Sequence, residues 1–245
     1  MVGVSELMLV RHGESDGNVA AAAAHEADAE EIDVPARDPD VRLSDLGREQ
    51  AAAVGECLRR LDAAHRPDVV ACSPYLRARE TATLAVQAAG LELPEVVDER
   101  LRDRELGVLD RLTARGVEAR YPEEHERRLW QGKFYHRPAG GESWADVVLR
   151  LRSWLSDADV AFAGQRVLVV SHDVVIALLR YVCCGLDEQE VVEIARTTPL
   201  RNAAVSRYVR GDAGRWQVTA YDDVTHLRAA GLPVTEHPGE RHVGT

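Results

Sequence analysis

The sequence predicts an α/β protein, a three-layer sandwich in which a mostly parallel central sheet has helices on both faces. Short, continuous apolar segments alternate with longer segments of helical periodicity, and polar residues follow directly where several apolar segments end. Continuous apolar segments are typical of strands buried on both faces, and their alternation with helices is typical of parallel sheets. With 245 residues, the chain fits a single domain, 1–245, with an inserted lid region.

The first half of the chain contains two predicted strands and two predicted helices. Leu7 to Val10 and Val69 to Cys72 are short apolar segments that indicate buried strands. Ser44 can cap a helix that runs to about Asp62 with one apolar face. Periodicity and alanine content predict the next helix from Tyr75 to Ala89. Strand and helix therefore alternate here.

The second half continues the alternation. Arg166 to Val170 is the clearest buried strand in the sequence, and it ends at Ser171-His172. The other predicted elements are a short strand at Val96 to Val97, a helix from Ser143 to Leu155, a helix from Val174 to Cys183, and a strand pair, Ala203 to Val209 and Trp216 to Tyr221, linked by Gly211 to Gly214.

Two segments interrupt this order, and we expect them to be insertions at about residues 19–42 and 108–140. The first is rich in alanine and acidic residues, which predicts a partly helical excursion over the surface without a chemical role. The second is dense in charge with irregular apolar spacing, which predicts a lobe over a site.

Composition excludes several classes of function. The net charge of −11 and the low aromatic content of 5% disfavour nucleic acid or an anionic membrane as partners, so an anion must be bound by local arginines. The four cysteines lack the spacing of a zinc site and are expected to be reduced core residues. Because no leader-like or membrane-spanning apolar segment is visible, a cytoplasmic protein is expected. The sequence does not predict an oligomeric state.

Three strand ends carry residues suited to phosphate chemistry. Arg11 and His12 follow the first strand, Arg77 follows the second, and His172 follows the strand at Arg166 to Val170. A parallel sheet brings such strand ends to one edge. Phosphoryl transfer needs a nucleophile and cationic donors for the equatorial oxygens, and arginine stays charged and can donate twice to one phosphate. A neutral His12 is the expected nucleophile, with a backbone carbonyl as a candidate acceptor for its other ring nitrogen.

Five short motifs, in this order, carry a resemblance to a known family. They are Arg11-His12-Gly13-Glu14-Ser15 with Asn18, Leu43-Ser44-x-x-Gly47-x-x-Gln50-Ala51, Ser73-Pro74-Tyr75-Leu76-Arg77-Ala78-x-Glu80-Thr81, Pro138-Ala139-Gly140-Gly141-Glu142-Ser143, and Val169-Val170-Ser171-His172. With these motifs, the chain resembles the phosphoglycerate-mutase-like branch of the histidine phosphatase superfamily, from about Leu7 to about Tyr208.

The resemblance implies roles for individual residues. His12 is the implied phosphorylated histidine, and Arg11, Arg77 and His172 are implied to line the phosphate pocket. Ser15 and Asn18 are implied to add contacts to phosphate or substrate. For a phosphatase of this family, no metal and no organic cofactor is implied.

The sequence offers three carboxylates as candidates for the acid that protonates the leaving oxygen. The family places a carboxylate where this chain has Asp103, although members of this type commonly carry glutamate there. Glu105 and Asp173 remain alternatives, because Glu105 is close in sequence and His172-Asp173 resembles the His-Asp pair of another branch, the acid phosphatases and phytases. Asp103 is the preferred assignment.

Hydrolysis of a small phosphorylated metabolite is favoured over mutase activity. Mutases of the family resemble one another in a loop with a Tyr-Gly step followed by a lysine, whereas here Leu106 replaces the tyrosine and the next lysine is Lys133. Lys133, His136 and Arg137 are candidates for a cationic lid over the substrate, or for an ordinary solvated loop. The alternatives are a 2,3-bisphosphoglycerate-dependent phosphoglycerate mutase and a catalytically weak phosphate-binding regulatory protein.

Overall fold

The computed structural model describes residues 3–211 and 214–236. Within them, six strands form one sheet: β1 Glu6–Arg11, β2 Val69–Cys72, β3 Glu95–Val97, β4 Arg166–Ser171, β5 Val205–Arg210 and β6 Trp216–Asp223. Their order across the sheet is β3-β2-β4-β1-β5-β6. The first four pair in parallel, and β5 is antiparallel to both β1 and β6. The predicted mostly parallel sheet is confirmed. In the predicted link between β5 and β6, residues 212 and 213 lie outside the described residues.

Helices cover both faces of this sheet. They are α1 Asp16–Glu26, α2 Asp45–Arg59, α3 Leu76–Ala89, α4 Ala114–Arg120, α5 Pro122–Gln131, α6 Trp144–Ala161, α7 Asp173–Cys184, α8 Glu188–Thr197 and α9 Thr225–Ala229. One hydrophobic cluster contains residues of α6, α7 and α8, and the other contains residues of α2, α3 and α9. In β1, Leu7 and Leu9 belong to the first cluster, whereas Met8 and Val10 belong to the second. The alternation arises because successive side chains of a strand point to opposite faces, so both faces are buried.

The helices that differ from the sequence prediction include α1, α6 and α8. α1 begins at Asp16, because Ser15 and Asn18 form a capping box that starts the helix inside the first motif. α6 continues past Leu155 to Ala161, with Ala158 still buried on the same face. α8 was not predicted, and it is a short amphipathic helix with Val191 as its buried residue.

The two inserted segments pack against each other. Thr113 Oγ1 donates a hydrogen bond of 2.6 Å to the Ala29 carbonyl, and Glu31 forms an isolated β-bridge with Leu112. A Cβ atom on Gly116 would lie 2.0 Å from the Glu30 carbonyl oxygen, so this close approach requires glycine. We call the two contacting segments, residues 28–41 and 106–120, the cap.

All four cysteines are unpaired, and Cys72 is buried, whereas Cys57, Cys183 and Cys184 are half-buried. The expectation of core cysteines therefore holds fully for Cys72. Across residues 3–211 and 214–236, no helix combines the length and apolar character needed to cross a membrane.

Candidate active site

The carboxyl ends of β1, β2 and β4 bring the predicted phosphate-binding residues together. Arg11 is the last residue of β1 and pairs in register with Ser171 of β4, so His12 and His172 follow side by side. The two imidazole rings are 5.2 Å apart between centroids, and both are buried. Arg77, in the first turn of α3, is also buried and contributes an electrostatic interaction with His12. Residues from three strand ends thus form one cluster.

His12 has the protonation state of a nucleophile. Its Nδ1 lies 2.7 Å from the Gly13 carbonyl oxygen, which can only accept, so the proton is on Nδ1 and the lone pair is on Nε2. Burial, followed by the electrostatic effects of Arg77, His172 and Arg11, holds the pKa of His12 well below its ordinary value. The imidazole is therefore neutral in neutral solution.

Buried polar side chains from helices fix the backbone that follows His12. Thr81 Oγ1 accepts a hydrogen bond of 3.1 Å from the Gly13 amide, and Gln50 Oε1 accepts one of 2.8 Å from the Glu14 amide. The side chains of Thr81 and Gln50 are completely buried, which makes these bonds costly to lose. Both residues belong to the sequence motifs, but the sequence alone did not indicate this positioning role.

Asn202 is a residue that sequence reasoning missed. Its side-chain amide nitrogen donates to the His12 carbonyl at 3.3 Å and to Asn18 Oδ1 at 3.1 Å, so it joins the backbone of His12 to α1. It lies just before β5, in a segment without a recognisable motif, and only its complete burial marks it as structurally required.

Two glycines let α2 approach the loop at His12. A Cβ atom on Gly47 would lie 1.9 Å from the Glu14 carbonyl oxygen, and one on Gly13 would lie 2.4 Å from the Gly47 carbonyl oxygen. These are backbone contacts that cannot be relieved by turning a side chain. The glycines in the first two motifs are thus explained by close packing.

His172 lies between a hydroxyl group and a carboxylate. Its Nε2 is 2.8 Å from Ser73 Oγ, and its Nδ1 is 3.2 Å from Asp103 Oδ2. Burial lowers the pKa of His172, although Asp103 acts in the opposite direction. A neutral ring with its proton on Nδ1, facing the carboxylate, fits both contacts.

Asp103 contacts both Arg77 and His172 of this cluster. Its Oδ2 accepts a hydrogen bond of 3.0 Å from Arg77, and its Oδ1 accepts one of 2.9 Å from the Arg104 amide. Burial alone would raise the pKa of Asp103, but His172, Arg77 and the Arg104 amide together hold that pKa well below its usual range. Without substrate, Asp103 is therefore a carboxylate.

The two alternative acids, Glu105 and Asp173, line a cavity at this cluster but form hydrogen bonds to other groups. Glu105 is 48% exposed and accepts a hydrogen bond of 2.9 Å from the Tyr75 hydroxyl group. Asp173 begins α7 and accepts a hydrogen bond of 2.7 Å from the Val174 amide. Of the three carboxylates, Asp103 is the one that pairs with Arg77.

The other predicted substrate-binding residues divide into two groups. Ser15, Asn18 and Lys133 line the cavity, and the Lys133 ammonium lies 4.8 Å from the centroid of the Trp144 ring. Arg137 does not line the cavity, because its guanidinium pairs with Asp146 in the first turn of α6. For Arg137, this exposed ion pair fits the alternative of an ordinary solvated loop better than a cationic lid.

His136, the third residue of that lid, is buried. Its Nε2 lies 3.0 Å from Glu124 Oε2, and burial lowers its pKa. Because His136 is buried and contacts Glu124 of α5, it is not a cation on the protein surface.

Asp38 is an unexpected member of the site. Arg77 Nη1 donates to its backbone carbonyl at 2.7 Å and to its Oδ1 at 2.9 Å. Asp38 lies in the first inserted segment, for which no chemical role was predicted, and its side chain is 40% exposed. A carboxylate from the cap therefore occupies donors of an arginine that was expected to bind phosphate.

A cavity of about 580 Å³ opens onto these residues and extends under the cap. Its lining includes Arg11, His12, Arg77 and Asp103 together with cap residues from Ile32 to Val41. Among the described residues, no group of three or more histidine, cysteine or carboxylate side chains is arranged to hold a metal ion.

This fold and this cluster of strand-end residues match one family across most of the chain. The family model described as histidine phosphatase superfamily (branch 1) matches residues 7–224. The chain belongs to the histidine phosphatase superfamily, as the five motifs predicted.

Individual relatives differ in the activity their names give. A probable phosphoglycerate mutase, GpmB, of Salmonella paratyphi C is 30% identical over 233 residues, which cover 93% of this chain and 97% of that protein. The solved mycobacterial glucosyl-3-phosphoglycerate phosphatase in complex with VO3 is 26% identical, with a TM-score of 0.69 and coverage of 89% and 99%. Bacillus stearothermophilus YhfR is 25% identical, with a TM-score of 0.71 and coverage of 91% and 98%.

Proposed function

We propose that this protein is a phosphomonoester hydrolase that acts through a phosphohistidine intermediate on His12. The observation that carries the proposal is a buried, neutral His12 whose Nδ1 proton is held by the Gly13 carbonyl group, with Arg77 and His172 beside it. A neutral imidazole with a fixed tautomer is a competent nucleophile. The positive charges of Arg77 and Arg11 match the negative charge of a phosphoryl group in transfer.

In the first step, Nε2 of His12 attacks phosphorus and the ester P–O bond breaks. Arg11 and Arg77 stabilise the charge on the equatorial oxygens, and His172 lies against Asp103. Asp103 gives a proton to the leaving oxygen, so an alcohol is released and Asp103 becomes a carboxylate. In the second step, Asp103 takes a proton from water, the hydroxide attacks phosphorus, and the P–N bond breaks to release inorganic phosphate and neutral His12.

The proton that Asp103 donates enters with the substrate. Asp103 is ionised at rest, because its contacts with His172 and Arg77 lower its pKa. A phosphomonoester has a second pKa of about 6, so part of it is a monoanion in neutral solution. Binding the monoanion beside Asp103 supplies the proton, and a bound phosphoryl group offsets the positive charge that had lowered the pKa of Asp103.

Hydrolysis of a phosphorylated metabolite is favoured over mutase activity by what lines the cavity. Leu106 lies where mutases of the family carry a tyrosine, and Arg137 is held outside by Asp146. Mutase activity is the second candidate, because relatives at 30% identity are named probable phosphoglycerate mutases. The names of other relatives, such as the mycobacterial phosphatase, favour hydrolysis.

A direct assay separates these candidates. The purified protein is expected to release phosphate from para-nitrophenyl phosphate between pH 5 and 8, and His12→Ala is expected to remove that activity. Interconversion of the two phosphoglycerates that depends on added 2,3-bisphosphoglycerate would replace the hydrolase proposal by the mutase. Phosphate binding without turnover would favour the third candidate, a catalytically weak phosphate-binding regulatory protein.

Removing the charge of Asp38 is expected to strengthen anion binding. Asp38→Asn keeps the shape of the side chain but removes the negative charge that competes for Arg77. Because Asp38 is half-exposed, its ion pair is discounted to about 1 kcal/mol, and the inhibition constant of inorganic phosphate should fall by about three- to tenfold.

Asp40→Asn is the matched control for this change. Asp40 lies in the same short 3-10 helix, Asp38–Asp40, but pairs with the exposed Arg37. Its substitution should leave the inhibition constant of phosphate unchanged. An unchanged or higher constant for Asp38→Asn would show that Asp38 does not compete with phosphate.

A further inference from the structure

We propose that the substrate is a monoester whose alcohol is bulky and largely apolar, with one phosphoryl group as its anionic part. This inference rests on the proposed hydrolase function and concerns the part of the cavity beyond His12. It is carried by the size of the cavity, by the residues that line it and by the charge already present there.

The cavity is much larger than a phosphoryl group needs. Arg11, His12, Arg77 and Asp103 form its phosphate end, and the remainder of its volume of about 580 Å³ lies beyond them. Pockets of about 300–1,000 Å³ are typical for ligands of drug size. Since a water molecule takes about 30 Å³ in the liquid, a three-carbon phosphate would leave most of this cavity filled with water.

Two separate parts of the chain give this remainder apolar walls. The cap contributes Ile32, Val34 and Leu112, and the opposite set, from α7 and the segment after α8, contributes Val174, Ala177 and Leu200. Transfer of an apolar group from water to such a surface gains about 25 cal/mol per Å². A polar three-carbon acid has little apolar surface to bury against these walls, so it would not gain this free energy.

The side of the cavity at Asp38 and Asp110 disfavours a second anionic group on the substrate, while Arg37, Arg104, Arg111 and Lys133 also line the cavity. Asp38, Glu105 and Asp110 all line the cavity, and burial, followed by the charge of Asp38, raises the pKa of Asp110. A substrate carboxylate in this region would meet carboxylates that already repel one another. The cationic Lys133 is engaged with the Trp144 ring, at 4.8 Å from its centroid.

A series of n-alkyl phosphates tests the proposal, because ethyl, butyl and hexyl phosphate share one type of leaving oxygen and differ in apolar length. Each buried methylene is expected to raise kcat/KM by about fourfold, so hexyl phosphate should exceed ethyl phosphate on the order of 100-fold. 3-Phosphoglycerate should be hydrolysed more slowly than butyl phosphate.

Variants of the cap check that this preference arises in the cavity. Ile32→Asp and, separately, Leu106→Asp place a charge among the apolar lining residues and should lower the hexyl-to-ethyl ratio at least tenfold. Val19→Asp is the matched control, since Val19 is exposed on α1 and does not line the cavity. The Val19→Asp variant should show the same hexyl-to-ethyl ratio as the unchanged protein.

The outcomes distinguish the inference from the function on which it rests. A ratio near one, or a preference for 3-phosphoglycerate, with hydrolysis still dependent on His12, would overturn the inference and leave the hydrolase intact. Absence of His12-dependent phosphate release from every ester would overturn both. A rising series with a reduced ratio in the two cap variants supports the inference.

Discussion

His12→Ala is expected to abolish the phosphoenzyme and to lower kcat by on the order of 10⁴-fold or more, because no other group in the cluster can accept the phosphoryl group. His172 is 5.2 Å away between ring centroids, and its Nε2 faces Ser73 at 2.8 Å. Asp103 is held by Arg77. Neither has a free lone pair in the place of His12 Nε2.

The measurement is trapping of labelled enzyme with a phosphate-labelled substrate, followed by an alkaline quench that preserves phosphohistidine. His65→Ala is the control, because His65 is an exposed histidine in a 3-10 helix outside the cavity. Label that persists in His12→Ala would contradict the assignment of the nucleophile. A thermal melt of both variants separates loss of chemistry from loss of fold.

Asp103→Asn is expected to slow hydrolysis of alkyl phosphates by about 10²- to 10⁴-fold, the usual contribution of a positioned acid. Hydrolysis of para-nitrophenyl phosphate should change far less, because its leaving oxygen needs little protonation. Asparagine keeps the hydrogen bond to the Arg104 amide while it removes the transferable proton. The two substrates are compared on the same preparation, so a folding defect would affect both equally.

Asp173→Asn and Glu105→Gln are the matched controls for this acid. Both carboxylates line the cavity, but each accepts a hydrogen bond from another group. Glu105 accepts from the Tyr75 hydroxyl group, and Asp173 accepts from the Val174 amide at the start of α7. If either control shows the alkyl-specific loss and Asp103→Asn does not, Asp103 is the wrong acid.

The pH dependence of the unchanged enzyme tests where the proton comes from. Since Asp103 is already ionised, kcat/KM for alkyl phosphates should fall as pH rises above about 6, where the substrate monoanion is lost. At the acidic end, activity is lost only below the lowered pKa of His12, because protonation removes the attacking lone pair. An optimum on the alkaline side of neutrality would contradict this proton source.

The sequence was informative where one local pattern decides the outcome. Buried strands ending at Arg11, Cys72 and Ser171 follow from continuous apolar segments, and parallel pairing then brings His12 and His172 together. These features need only the residues of the strands themselves. The convergence at the sheet edge could therefore be predicted without coordinates.

Contacts that depend on the path of a long segment could not be predicted. Asp38 reaches Arg77 because the chain between α1 and α2 folds back over α3, and no periodicity encodes such a path. Arg137 has the charge expected of a lid residue, but its guanidinium pairs with Asp146 instead. Asn202 carries no motif because its role lies in bonds to the backbone of His12.

The cap consists of two segments that constrain each other across a long stretch of sequence. Gly116 leaves no room for a side chain against Glu30, and Thr113 donates to Ala29. Exchange of the first segment alone with that of a relative would leave these contacts unmatched. Redesign of specificity in this protein therefore requires both segments to be exchanged as a pair.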